Sequence, residues 1–69
     1  MQRIPVSSSN VASIGYDATN LVLEVEFQNG GVYQYFDVPQ NAYDELMTAS
    51  SMGGYLNTVI KQNYRYARV

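Results

Sequence analysis

The chain has 69 residues and a formal net charge of −2, with 46% hydrophobic and 14% charged residues. This balance is typical of one folded domain spanning residues 1–69 and excludes a disordered tail, although a domain of this size buries only roughly 60% of the surface of its unfolded chain. The absence of Cys and His excludes disulfides and removes the commonest metal ligand and the commonest general base. We therefore predict no metal, no cofactor and no enzymatic activity.

Charge is distributed unevenly along the chain. Residues 1–60 contain one Arg and six acidic residues, a net −5, whereas residues 61–69 contain Lys61, Arg65 and Arg68, a net +3. The acidic body disfavours broad electrostatic binding to nucleic acid, while the basic end permits a local contact. The N-terminus lacks an apolar signal segment and no stretch of about 18 apolar residues occurs, so we expect a cytoplasmic protein with no membrane partner.

Three strands are predicted in the first half of the chain. The polar cluster Ser7–Asn10 predicts a loop, and Val11–Asp17 predicts the first strand, followed by turn residues up to Asn20. Leu21–Phe27 alternates apolar residues with Glu24 and Glu26, the period of a strand with one dry face and one wet face. The two glutamates are therefore expected to be solvated.

The turn after Leu21–Phe27 determines which face of the sheet Tyr33 and Tyr35 occupy. A two-residue Asn29-Gly30 loop would place both tyrosines on the open face with the glutamates. A three-residue loop with Gly30 in the left-handed conformation of a G1 bulge shifts the register by one and turns both rings to the apolar face. We favour the bulge, because it buries two large rings in a domain short of core.

Two helices follow the sheet. Pro39 ends the third strand, and Ala42, Tyr43, Leu46 and Ala49 lie at helical spacing directly after it. Ser50–Gly54 interrupts this pattern.

Ser51 is a predicted N-cap for a second helix that ends at about Asn63. Its predicted inner face consists of Leu56, Val59, Ile60 and Asn63.

The alternating tail Tyr64–Val69 is compatible with a short edge strand or with a segment draped over the helices. The predicted fold is therefore α+β, a three-stranded antiparallel meander with two helices on one face.

The spacing of these residues resembles that of the KTSC domain. The matching motifs are Ser8-Ser9, Ile14-Gly15-Tyr16-Asp17, Leu23-x-Val25-x-Phe27-x-x-Gly30, Tyr33-x-Tyr35, Val38-Pro39, Tyr43-x-x-Leu46-x-x-Ala49 and Ser51-x-Gly53-x-Tyr55-x-Asn57-x-x-Ile60. This family is named for its occurrence at the C-terminus of some lysyl-tRNA synthetases and also includes small free-standing bacterial proteins. The resemblance implies a single domain, and attachment to a tRNA-charging enzyme implies RNA as a ligand. Leu56 departs from the pattern, because an aromatic residue is expected there.

Three sets of residues are candidate binding sites. Tyr33 and Tyr35 are either a stacking platform for unpaired bases or core rings, and the bulge register favours the core. Lys61, Arg65 and Arg68, interleaved with Tyr64 and Tyr66, are either an RNA contact or a solubilising tail. Ser51, Gly53 and Gly54 are either a weak phosphate cradle or a helix cap with close packing, and the cap is favoured because no P-loop lysine follows.

Two functions remain open at this point. The first is a non-catalytic module that binds tRNA or single-stranded RNA through the Tyr-x-Tyr strand or the basic C-terminal segment. The second is an interaction domain that binds another protein, or a second copy of itself, through the open sheet face or an edge strand, without nucleic acid.

Overall fold

The computed structural model describes all residues, 1–69. It contains one antiparallel sheet of five strands, which lie side by side in chain order, and two helices. The strands are β1 (Ile4–Pro5), β2 (Val11–Asp17), β3 (Val22–Phe27), β4 (Val32–Tyr35) and β5 (Tyr66–Arg68). Helix α1 is Gln40–Thr48, and helix α2 comprises an α-helical turn Met52–Tyr55, a π-helical segment Leu56–Ile60 and a last α-helical turn Lys61–Asn63.

The predicted three-stranded meander forms the centre of this sheet, with β3 in the middle. The fold is therefore α+β as predicted, and the sheet has five strands where three, with a possible C-terminal fourth, were predicted. β5 pairs with β4, so the tail forms the edge strand that was one of its two predicted structures. β1 was not predicted. Because β1 has two residues, one of them proline, its sequence carries no alternation that could reveal a strand.

The hairpin between β3 and β4 has the three-residue loop that we favoured. Phe27 and Gly31 pair through a backbone hydrogen bond of 2.8 Å, and Gly30 has φ +95°, in the left-handed region that favours glycine. Val25 consequently pairs with Tyr33, and Leu23 with Tyr35. Both tyrosines thus lie on the sheet face that carries the apolar residues of β3.

Helix α1 begins directly after Pro39, as predicted, and buries Ala42 and Leu46. In α2 the Ser51 side chain accepts a hydrogen bond from the backbone N–H of Gly54 at 3.1 Å, which confirms the predicted N-cap.

Leu56 and Ile60 form the buried face of α2, but Asn63 is exposed, so its predicted inward position was wrong. The π-helical segment and the end of the helix at Asn63 explain this, because the residues after Ile60 no longer follow the 3.6-residue period. Asn63 instead donates its side-chain amide to the backbone oxygen of Val59 at 2.7 Å.

The hydrophobic core lies between the sheet and the two helices. Its ten buried residues come from β2, β3, β4, the segment before α1 and both helices: Val11, Ile14, Leu23, Val25, Tyr35, Val38, Ala42, Leu46, Leu56 and Ile60. Both helices therefore cover the same face of the sheet, as the alternation of β3 requires. Neither helix is long and apolar enough to cross a membrane.

The N-terminal residues lie against the opposite face of the sheet. An added Cβ on Gly15 would lie 2.7 Å from the backbone oxygen of Gln2, so glycine permits this close approach. The Arg3 guanidinium forms an ion pair with Glu24, and Arg3 Nε donates to Ser13 Oγ at 3.0 Å.

Glu24 is 8% exposed, so the expectation that it is solvated was wrong. Its carboxylate accepts a hydrogen bond from Gln34 Nε2 at 2.8 Å in addition to the ion pair with Arg3. These two contacts hold the pKa of the Glu24 carboxyl below its ordinary value. The neighbouring Glu26 is only partly buried and lies 3.9 Å from the same guanidinium.

Candidate binding groove

A groove of about 510 Å³ lies between α2, the β3–β4 hairpin and β5. We call it the aromatic groove. It is lined by Ser9, Asn10, Phe27, Gln28, Asn29, Tyr33, Tyr35, Gly53, Leu56, Asn57, Lys61 and Tyr66. Its volume is in the range of small-molecule sites in proteins. An adjoining cavity of about 430 Å³ has no aromatic or charged residue in its lining.

Four aromatic rings form a continuous row along the groove. The Phe27 and Tyr33 rings meet edge to face with 5.7 Å between centroids, Tyr33 and Tyr66 are 6.1 Å apart, and Tyr66 and Tyr35 are 5.4 Å apart. The Tyr66 side of the row is accessible, because this residue is 45% exposed. Aromatic rings that are accessible to solvent provide a surface on which a flat ligand can stack.

Most of the remaining lining is polar, and it carries one positive charge. Lys61 is the charged residue of the lining, and it is accompanied by four amide side chains, those of Asn10, Gln28, Asn29 and Asn57. None of the six acidic residues of the chain lines the groove. Locally the groove is therefore cationic, although the whole chain is acidic.

The two tyrosines of the Tyr-x-Tyr strand have different environments. Tyr35 is 4% exposed and belongs to the core, whereas Tyr33 is half-buried and packs against the edge of the core. Both nevertheless line the aromatic groove. The two interpretations of these residues are therefore compatible, since a ring in the core can also form the floor of a groove.

The structure separates the cations of the C-terminal segment. Lys61 lines the groove, and the Arg68 guanidinium lies over the Tyr33 ring at 5.9 Å. Arg65 lies elsewhere. Its guanidinium is 3.1 Å from the Asp37 carboxylate and lies over the Phe36 ring, 5.6 Å from the centroid. Tyr64 packs against the core. Lys61 and Arg68 are therefore the cations associated with the aromatic row, and Arg65 and Tyr64 are not part of the lining.

The predicted phosphate cradle is engaged by contacts within the protein. Ser51 Oγ accepts the N–H of Gly54, and an added Cβ on Gly53 would lie 2.8 Å from Asn10 Nδ2. Helix capping and close packing therefore explain why Ser51, Gly53 and Gly54 occur here, and no bound anion is needed to explain them. Gly53 belongs to the aromatic groove as part of its wall.

Several lining residues were not predicted as site residues. Phe27 was assigned to the strand, Gln28 and Asn29 to the turn, and Asn10 to a loop, while Asn57 had no predicted binding role. They belong to separate elements that meet only in the folded chain. The Asn and Gln content of the loops was a visible signal, because such side chains bind ligands as well as backbone.

The fold is that of a small α+β domain, and the aromatic groove lies on its helical side. The chain belongs to the KTSC domain family, which matches residues 7–64. It is 43% identical over 70 residues to an uncharacterized protein of Stutzerimonas stutzeri, covering 100% of this chain and 99% of that protein. The crystal structure of a KTSC domain protein from Yersinia pestis, 44% identical, has a TM-score of 0.94 and covers 99% of this chain and 96% of that one.

The chain also resembles a part of larger enzymes. A lysine–tRNA ligase of Trichormus variabilis is 39% identical over 54 residues, which is 78% of this chain and 10% of the ligase. A domain of the same family thus occurs both as a small protein and as a minor part of a ligase.

Proposed function

We propose that this chain is a non-catalytic binding module that takes unpaired RNA bases into the aromatic groove. The observation that carries the proposal is the convergence of an aromatic row, the Lys61 ammonium and free amide groups in one cleft without a carboxylate. Unpaired bases stack on aromatic side chains and are bound at their edges by polar groups, and each stacked base contributes about 1–3 kcal/mol. The groove volume of about 510 Å³ suits a ligand of one or two bases.

The charge pattern supports a single strand over a duplex. A duplex presents many phosphates along its length, and its binding needs several cations on one surface. Here only Lys61 and Arg68 accompany the aromatic row, and the rest of the chain is acidic. Stacking, with one or two phosphate contacts, is therefore the main source of affinity in this proposal.

The relatives support the same ligand class. A region similar to this chain forms part of a lysine–tRNA ligase, an enzyme whose printed name gives tRNA as its substrate. The domain occupies only 10% of that ligase, so we assign it a binding role and not the chemistry.

The proposal is tested by fluorescence anisotropy with a labelled seven-nucleotide single-stranded RNA. Lys61→Gln and Arg65→Gln each remove one positive charge, but only Lys61 lies in the groove. We expect Lys61→Gln to weaken binding by about 2- to 5-fold and to reduce its salt dependence, and Arg65→Gln to leave the affinity within about 1.5-fold. Equal losses in both variants would show that the contact depends on net charge, and no binding by the wild type would refute the proposal.

Self-association is a second candidate, which the position of β5 favours. β5 is the last strand of the sheet, and its three residues are all exposed. Such an edge offers unpaired backbone groups to a second copy or to another protein. Sedimentation across a dilution series distinguishes the two candidates, because a monomer at all concentrations would exclude a homodimer.

A further inference from the structure

The Tyr35 hydroxyl is a polar group within the core that has no partner in the protein. Tyr16, another inward-facing tyrosine of the sheet, donates its hydroxyl to the Val38 backbone oxygen, and Tyr55 donates to Glu45 Oε1 at 2.9 Å. The hydroxyl of Tyr35 forms no such bond, although the residue is only 4% exposed. A buried tyrosine normally places its hydroxyl against a partner, because an unpaired buried hydroxyl costs free energy.

The position of the hydroxyl follows from the packing. No completely buried side-chain oxygen or nitrogen in this structure lacks a hydrogen-bond partner, so the Tyr35 hydroxyl retains contact with solvent. The cavity that Tyr35 lines is the aromatic groove. The ring is therefore held in the core, and Tyr35 reaches solvent at the floor of the groove.

Two side-chain amides of the groove also lack a hydrogen-bond partner in the protein. The side-chain amides of Asn10 and Asn57 line it and form no hydrogen bond within the protein. The amides of Gln28 and Asn29 differ, since Gln28 Nε2 contacts the Val11 oxygen at 3.3 Å and Asn29 Oδ1 accepts from the Gly31 N–H at 3.0 Å. The free groups can both donate and accept, as base edges require.

From this geometry we propose, resting on the RNA-binding function above, that the Tyr35 hydroxyl reads the edge of one unpaired base in the aromatic groove, with Asn57 as a second contact. The base stacks along the aromatic row, and its edge points to the floor. A groove that only stacked bases would bind all four alike, whereas fixed donors and acceptors select among them. The groove is therefore base-selective.

The Tyr35 hydroxyl remains protonated in this setting. Burial, followed by the neighbouring Tyr66 and Tyr33, raises its pKa above the ordinary value of 10.0. At neutral pH it therefore both donates and accepts a hydrogen bond.

The test combines five RNAs with two tyrosine variants. Each RNA has five nucleotides, and all except the middle one are abasic. In four of the RNAs the middle nucleotide carries A, C, G or U, and in the fifth it carries an apolar base analogue that stacks without hydrogen bonds. Tyr35→Phe removes the hydroxyl from the floor of the groove. Tyr43→Phe is the matched control, because this tyrosine stacks on Tyr16 outside the groove and its hydroxyl also forms no hydrogen bond.

We expect the wild type to prefer one base, and Tyr35→Phe to bind that base about 2- to 12-fold more weakly, the equivalent of one hydrogen bond. The apolar analogue should bind both proteins equally, and Tyr43→Phe should behave as the wild type. The melting temperature of Tyr35→Phe should not fall, since the lost hydroxyl has no protein partner.

Three results would contradict the inference. Equal binding of all four bases, or an unchanged preference in Tyr35→Phe, would overturn base selection by Tyr35 and leave the RNA-binding proposal standing. No binding of the five RNAs together with no binding of the seven-nucleotide RNA would overturn both proposals.

Discussion

Replacing Tyr35 and Tyr33 separately by alanine should destabilise the protein by very different amounts. Tyr35 is 4% exposed and contacts Tyr66 at 5.4 Å, and loss of a fully buried aromatic side chain costs about 3–5 kcal/mol. Tyr33 is half-buried, so its loss removes part of its apolar contact and the edge-to-face pair with Phe27, about 1–2 kcal/mol together.

The total stability of a domain of this size is about 3–10 kcal/mol, so Tyr35→Ala should remove about a third of it or more. A loss of 3 kcal/mol corresponds to a fall in melting temperature of about 12–24 °C, against roughly 4–16 °C for Tyr33→Ala. Urea and thermal unfolding followed by circular dichroism measure both values, with Tyr35→Phe as the control that keeps the ring. Equal losses in the two alanine variants, or a loss below about 1 kcal/mol for Tyr35→Ala, would refute the assignment of Tyr35 to the core.

Two further predictions concern the turn and the buried carboxylate. Gly30→Ala places a Cβ on a residue with φ +95° and should lower the free energy of unfolding in urea by about 1–2 kcal/mol. Gly30→Asn should lower it less, because Asn tolerates left-handed backbone better. An unchanged free energy of unfolding in Gly30→Ala would contradict the bulge. The Gln34 hydrogen bond and the Arg3 ion pair lower the pKa of Glu24 in the folded protein below its ordinary value of 4.5. The ionised carboxylate therefore stabilises the fold above pH 4.5, and this contribution disappears as the pH falls through the lower folded pKa. Urea midpoints between pH 7 and pH 3 should therefore fall further for the wild type than for Glu24→Gln, and parallel curves would disprove the role of this carboxylate.

The central hairpin could be predicted from sequence because each of its features is local. Alternation fixed the inner face of β3, and Gly30 offered the left-handed residue that a three-residue loop needs. The cap at Ser51 was local in the same way, since its hydroxyl binds a backbone N–H three residues along the chain.

The features that the sequence did not reveal depend on distant contacts. The burial of Glu24 requires Arg3, which reaches it only because Gly15 lets the N-terminal segment approach the sheet. The π-helical segment Leu56–Ile60 leaves no periodic signal in five residues. The aromatic groove likewise arises where a loop, a hairpin, a helix and the last strand meet, so the charge and aromatic content of the tail alone did not separate Lys61 from Arg65.

A titration of the ¹⁵N-labelled protein with the seven-nucleotide RNA, observed by NMR, tests the location of the binding site most directly. We expect the largest amide shifts at groove residues, namely Gln28, Tyr35, Asn57 and Tyr66, and only a small shift of the Arg65 amide signal. Shifts centred on Arg65, or on the sheet face opposite the helices, would contradict the aromatic groove as the binding site.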